Sequence, residues 1–95
     1  MTYNGWSNYE TWNVALWIDN EPGTYDERRE LARRARSVSD LANSLKAWVE
    51  EMAPDLGASM FADLLGAALS EVDWSEIADH WYEEAHEDDE AEAEA

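Results

Sequence analysis

The side chains of this 95-residue chain that could do chemistry are few in kind: two histidines, His80 and His86, no cysteine, and 23 Asp plus Glu. Six residues apart on a helix, the histidines lie about 120° from superposition. They therefore do not share a metal-facing row as an i, i+4 pair would. Glu76, His80 and Glu84 do fall at i, i+4, i+8, a spacing that allows a weak divalent site but equally describes a solvated acidic face. There is no calcium-loop pattern, no glycine-rich phosphate cradle with its lysine, and no thiolate ligand or nucleophile. Paired carboxylates say little, because 23 of them in 95 residues pair by chance. We expect no catalytic set, no bound metal and no cofactor, so the chemistry to look for is recognition.

The carboxylates are distributed unevenly. Residues 1–46 hold 7 acids and all 6 basic residues, whereas residues 47–95 hold 16 acids and no Lys or Arg, within a total net charge of -17. Surfaces selected only for solubility usually mix signs, and a regional field is something a partner can recognise. Direct binding to duplex nucleic acid is excluded, since phosphate affinity needs clustered cations, and an anionic membrane surface is disfavoured for the same reason. Uniform acidity from a halophilic host is the competing explanation. Uniformity is what the chain lacks.

The last helix sharpens this reading. At about 100° per residue, Trp74, Ile77, Ala78, Trp81, Tyr82 and Ala85 fall within roughly 140° of arc, while Asp73, Glu76, Asp79, Glu83 and Glu87 gather opposite. Continued through Glu90, the series Glu76, Asp79, Glu83, Glu87 places carboxylates about every 5 Å over roughly 21 Å of axis. One DNA strand carries a phosphate about every 3.4 Å. The candidate binding residues are thus Glu76, Asp79, Glu83, Glu84 and Glu87, supported by Glu50, Glu51, Asp55 and Asp63. Arg28, Arg29, Arg33, Arg34 and Arg36 form the opposite cluster. A recognition helix, helical pairing with Asp26 and Glu30, anchoring of the acidic half, or docking of a dimer partner are their four readings.

The elements that must position these groups are helical. Strand formers are scarce, with four Val and two Ile, whereas Ser7-x-x-Glu10, Thr24-x-x-Glu27, Ser37-x-x-Asp40 and Asp73-x-x-Glu76 have the form of helix N-caps. The spacing predicts helices over about 8–19, 25–36, 41–52, 58–70 and 74–86. Tyr9, Trp12 and Leu16 are expected to be buried in the first, with Val14 and Trp17 beside them. Leu41, Leu45, Trp48 and Met52 should be buried in the third, and Phe61, Leu64, Leu65, Ala68 and Leu69 in the fourth. Asn20-Glu21-Pro22-Gly23 and Pro54 to Gly57 are stops. The expected architecture is all-α, a compact four-to-five-helix domain over 1–86 with a frayed, disordered acidic tail over 87–95. Most of the six Trp, four Tyr and one Phe are expected in its core, while Trp6 and Trp17 are candidates for an interface. No apolar run approaches a membrane span and the N-terminus does not read as a secretory signal, so a cytoplasmic location is expected.

Asn8-Tyr9-Glu10-Thr11-Trp12, within the segment 4–20, resembles a group of small proteins of phages, plasmids and other mobile elements. That resemblance implies a prokaryotic host cell as setting. It carries no catalytic residue. The acidic second half separately resembles, in composition, the DNA-mimic inhibitors that mobile elements use against restriction and CRISPR systems. Together these features predict an anti-defence inhibitor whose acidic face occupies the nucleic-acid channel of a host nuclease or CRISPR effector complex. The alternative is a small dimerising or adaptor protein with a Trp-rich interface.

Overall fold

The computed structural model describes residues 2–94, with side chains described over 2–87. Five helices follow one another, α1 (Tyr9–Asn20), α2 (Pro22–Arg34), α3 (Val38–Met52), α4 (Met60–Ser70) and α5 (Trp74–Glu94). The all-α, five-helix expectation holds. The helical assignment of α5 passes the end expected near His86, and the tail expected over 87–95 lies, past Glu87, outside the described side chains.

Two of the anticipated caps operate and two do not. Ser37 accepts from the Asp40 N–H and Asp73 accepts from the Glu76 N–H, both at 3.0 Å, starting α3 and α5. At α1, however, the cap is Asn8, whose Oδ1 accepts from the Thr11 N–H at 2.9 Å, and not Ser7. At α2 the helix begins at Pro22, ahead of Thr24, because proline lacks the N–H a first turn leaves unpaired and has its φ already set for a helix. Thr24 instead turns its hydroxyl back to the carbonyls of Ile18 and Glu21 at 2.8 and 3.1 Å, so the stop expected over 20–23 reduces to a one-residue break at Glu21.

The core lies chiefly between α2, α3 and α5. It contains Leu41, Leu45, Ile77 and Trp81 with five alanines, Ala15, Ala32, Ala35, Ala42 and Ala78. Alanine brings helix axes close together and buries little area per residue, so such a core needs polar anchors to fix its register.

α1 departs from the expected face. Thr11, Ala15 and Ile18 are buried, at i, i+4, i+7, while Tyr9, Leu16 and Trp17 are exposed. Polar contacts select that face. The Thr11 side chain is fully buried, and its Oγ1 accepts from the Asp73 N–H at 2.9 Å. Asn8 Nδ2 donates to the Glu71 carbonyl at 2.6 Å. Presenting Tyr9 and Leu16 inward would turn both groups away from the α4–α5 junction.

Ahead of α1, Tyr3 and Trp6 exchange backbone hydrogen bonds of 2.6 and 2.8 Å around Asn4 and Gly5, whose φ values are 48° and 91°. Two consecutive positive φ angles in Asn-Gly define a type I′ turn, a signal legible in sequence that the helix-based reading passes over. The turn seats Tyr3 against Tyr9 and Trp12, with ring centroids 5.2 and 4.8 Å away.

If Thr11 holds α5 as described, Thr11→Val should lower unfolding free energy by about 1–3 kcal/mol, the cost of stranding a buried donor. Thr11→Ser, which keeps the oxygen, should cost clearly less. Urea denaturation followed by far-UV circular dichroism checks this, and equal losses would refute the anchoring role.

Candidate functional site

The acidic residues singled out from sequence fall into three groups. Asp79, Glu83 and Glu87 stand on the solvent side of α5, exposed, at one-turn intervals that set a carboxylate about every 6 Å along the axis. Among the described residues none of the three takes part in an ion pair or a side-chain hydrogen bond. Glu83 and Glu87 share a shallow cleft of about 380 Å³ with His80 and Glu84.

Glu76 and Glu84 have other partners. Glu76 accepts from the Ser7 N–H at 3.1 and 3.2 Å and from the Ser7 hydroxyl at 2.7 Å. These donors are neutral, so the carboxylate keeps its charge but loses its freedom to move. Glu84 accepts from Arg28 Nη1 at 3.1 Å, and its charge is thereby compensated. The remaining four lie elsewhere. Glu50 and Glu51 end α3, Asp55 accepts from the Gly57 N–H at 3.0 Å in the loop, and Asp63 is on α4. No hydrogen bond or ion pair among the described residues joins them to the α5 row.

Behind the row sits a group that sequence placed only within a cluster. Arg28 is 4% exposed; its Nε donates to Asp19 at 2.9 Å and its Nη1 to Glu84. The guanidinium carbon lies 4.8 Å from the Tyr25 ring centre and 4.7 Å from that of Trp81, close enough for cation–π attraction on both. Of the four readings of the arginine cluster, anchoring of the acidic half is the one that the Arg28 contact with Glu84 fits. Arg33 and Arg34 pair within α2 to Glu27 and Glu30. No spacing rule singles out Arg28 from its neighbours, since the Asp19 and Glu84 partners are nine and fifty-six residues distant.

The tryptophan candidates separate. Trp6 is half-buried against the core with His80 at a ring distance of 4.7 Å, which makes it a packing residue, whereas Trp17 is 61% exposed. The Glu76, His80, Glu84 spacing does not assemble: Glu76 is held by Ser7, His80 faces Trp6 and Glu84 is paired to Arg28. Among the described residues no group of three His, Asp or Glu side chains is placed to hold a metal ion. His86 Nε2 lies 3.1 Å from the Ala32 carbonyl, within hydrogen-bonding distance of that acceptor. No helix of the described residues is long and apolar enough to cross a membrane.

The fold and site define a small all-α domain with one carboxylate row that has no ion pair among the described residues. The chain belongs to a family of unknown function, DUF7249, whose model matches residues 1–93. No curated protein and no solved structure matches it.

Arg28→Lys keeps the charge but loses the planar fork and the ring stacking, and should cost about 2 kcal/mol of stability. Arg33→Lys, at an exposed pair, should cost less than about 0.5 kcal/mol. Denaturation midpoints measure both, and indistinguishable values would rule out Arg28 as the anchor.

Proposed function

We propose that this chain is an inhibitory binding protein whose α5 carboxylate row takes the place of nucleic-acid phosphates in a basic channel of a host nuclease or CRISPR effector complex. The observation that carries the reading is the isolation of Asp79, Glu83 and Glu87: exposed, in one row, without an ion pair among the described residues, on a half of the chain that has no Lys or Arg. Glu76 extends the row as a fixed anion. Glu84 contributes less, since Arg28 compensates it. The resemblance of Asn8 to Trp12 to proteins of mobile elements supports an anti-defence role in a prokaryotic cytoplasm, where such nucleases act.

Mechanistically, carboxylates meet Lys and Arg of the target and exclude its nucleic acid. Long-range attraction speeds encounter, and each contact desolvates a pair already complementary in sign. Because the row is exposed, its contribution is screened by salt. Glu50, Glu51, Asp55 and Asp63 add to the field without belonging to the row.

The test is competition. Purified chain should displace DNA from a susceptible nuclease or effector complex, with affinity falling as salt rises. The triple variant Asp79→Asn, Glu83→Gln, Glu87→Gln should bind at least about 30-fold more weakly, about 2 kcal/mol. Unchanged displacement by the folded triple variant would refute the mimicry, as would a failure to protect phage from any defence system when the chain is expressed in defended cells.

A further inference from the structure

One helix is covered on a single side only. On α4, Met60, Phe61, Leu64, Ala67 and Ala68 fall within about 120° of arc, and Ala62, Leu65 and Leu69 occupy the other side. The second side is half-buried. The first is bare, with Met60, Phe61 and Leu64 exposed by 65%, 62% and 60%. Asp63, Gly66 and Ser70 fill the remaining arc, so α4 is apolar over about 220° of its circumference, more than a single buried face requires. Beside it, between α1, the end of α3 and α4, runs an apolar groove of about 530 Å³ lined by Val14, Trp17, Ile18, Val49, Met52 and Leu65.

We propose that this face is a homodimer interface, in which the bare side of α4 from one chain lies along the groove of a second copy and the reverse contact forms by two-fold symmetry. Three observations select a second copy over another partner. The molecule carries both the apolar helix and the apolar groove, the self-complementary pair that a two-fold contact requires. Charge points the same way: residues 56–70 contain one charged side chain, Asp63, in a chain of net charge -17, and Glu21 is the one charged residue of the groove lining. Two strongly anionic copies can approach only where charge is lowest, whereas a basic partner would require a row of acids such as α5 carries, which this face lacks. The area is also sufficient. Trp17, Met52, Leu56, Met60, Phe61 and Leu64, each 38–65% exposed, offer on the order of 600 Å² of largely apolar surface, near the ~800 Å² per partner of a standard interface.

The proposal does not rest on the role of the α5 row, and salt separates the two, because screening weakens attraction to a basic target and relieves repulsion between like-charged copies. Sedimentation equilibrium of the full chain across a concentration series, at low and high salt, tests it. The expected result is a species of twice 10.9 kDa whose fraction rises with salt. Phe61→Glu and Leu64→Glu should each be monomeric with unchanged circular dichroism, and Trp17→Ser should weaken the dimer at least tenfold. The Asp79→Asn, Glu83→Gln, Glu87→Gln variant should dimerise at least as well as the natural chain. If either α4 variant loses helicity, Met60→Lys replaces it. A natural chain that stays monomeric at every concentration, or a dimer that survives the α4 substitutions, overturns the proposal.

Discussion

A buried guanidinium in a chain with only six basic residues is the contact around which the helices are arranged. Arg28 belongs to α2, takes one carboxylate from α1 and one from α5, and lies within cation–π distance of a ring from each of α2 and α5. Removing such a cation from water is costly unless its donors are met and its faces covered. Nε and Nη1 each have a carboxylate, and two rings lie against the guanidinium. The cost is limited further because Asp19 and Glu84 keep 40% and 54% of their side-chain exposure and stay partly hydrated. An alanine-rich core leaves helices free to slide by a turn at little loss of burial. Arg28 removes that freedom at one end, and the Ser7, Asn8 and Thr11 contacts with residues 71–76 remove it at the other.

This arrangement explains why charge and apolar surface end up apart. With α5 pinned at Asp73 and again at Glu84, the side bearing Ile77, Ala78 and Trp81 faces the core and the side bearing Asp79, Glu83 and Glu87 faces water. α4 has no comparable anchor. Its capping bond, from the Ala62 N–H to Ser59 Oγ at 3.1 Å, is local. It is held by Leu65 and Leu69 along one side, and its remaining apolar residues stay outside. One surface is therefore electrostatic and nearly free of large apolar groups, the other apolar and nearly free of charge.

The parts of this structure that sequence disclosed are those set by local chemistry. Helix number, the Ser37 and Asp73 caps, the burial of Leu41, Leu45, Ile77 and Trp81, and the exposure of Asp79, Glu83 and Glu87 all follow from period and composition. What escaped it depended on distant partners. Size alone ranks Tyr9, Leu16 and Trp17 above Thr11 and Ala15 for burial, yet the Asp73 N–H reaches the Thr11 hydroxyl from sixty-two positions away and turns α1 the other way. Glu76 and Glu84 look like their exposed neighbours on a helical wheel, and only the fold supplies Ser7 and Arg28. α4 differs for a related reason: period and composition assign Phe61 and Leu64 to the core, but the fold decides how many neighbours a helix has, and both stay exposed.

The segment Asn8 to Trp12 then takes on a physical meaning. Asn8 caps α1 and holds the Glu71 carbonyl, Thr11 holds the Asp73 N–H, and Tyr9 and Trp12 pack with Tyr3 at the turn. None of these contacts is made with the exposed carboxylates, but all of them set where α5 starts and how it is rotated. A row of like charges gains affinity from being held in place, because ordering it at the moment of binding would subtract from the interaction. Like charges on one helix side also repel one another, and a free α5 would relieve that repulsion by fraying. The stretch from Asn8 to Trp12 thus acts on the acidic row from behind, by making its geometry a property of the free protein.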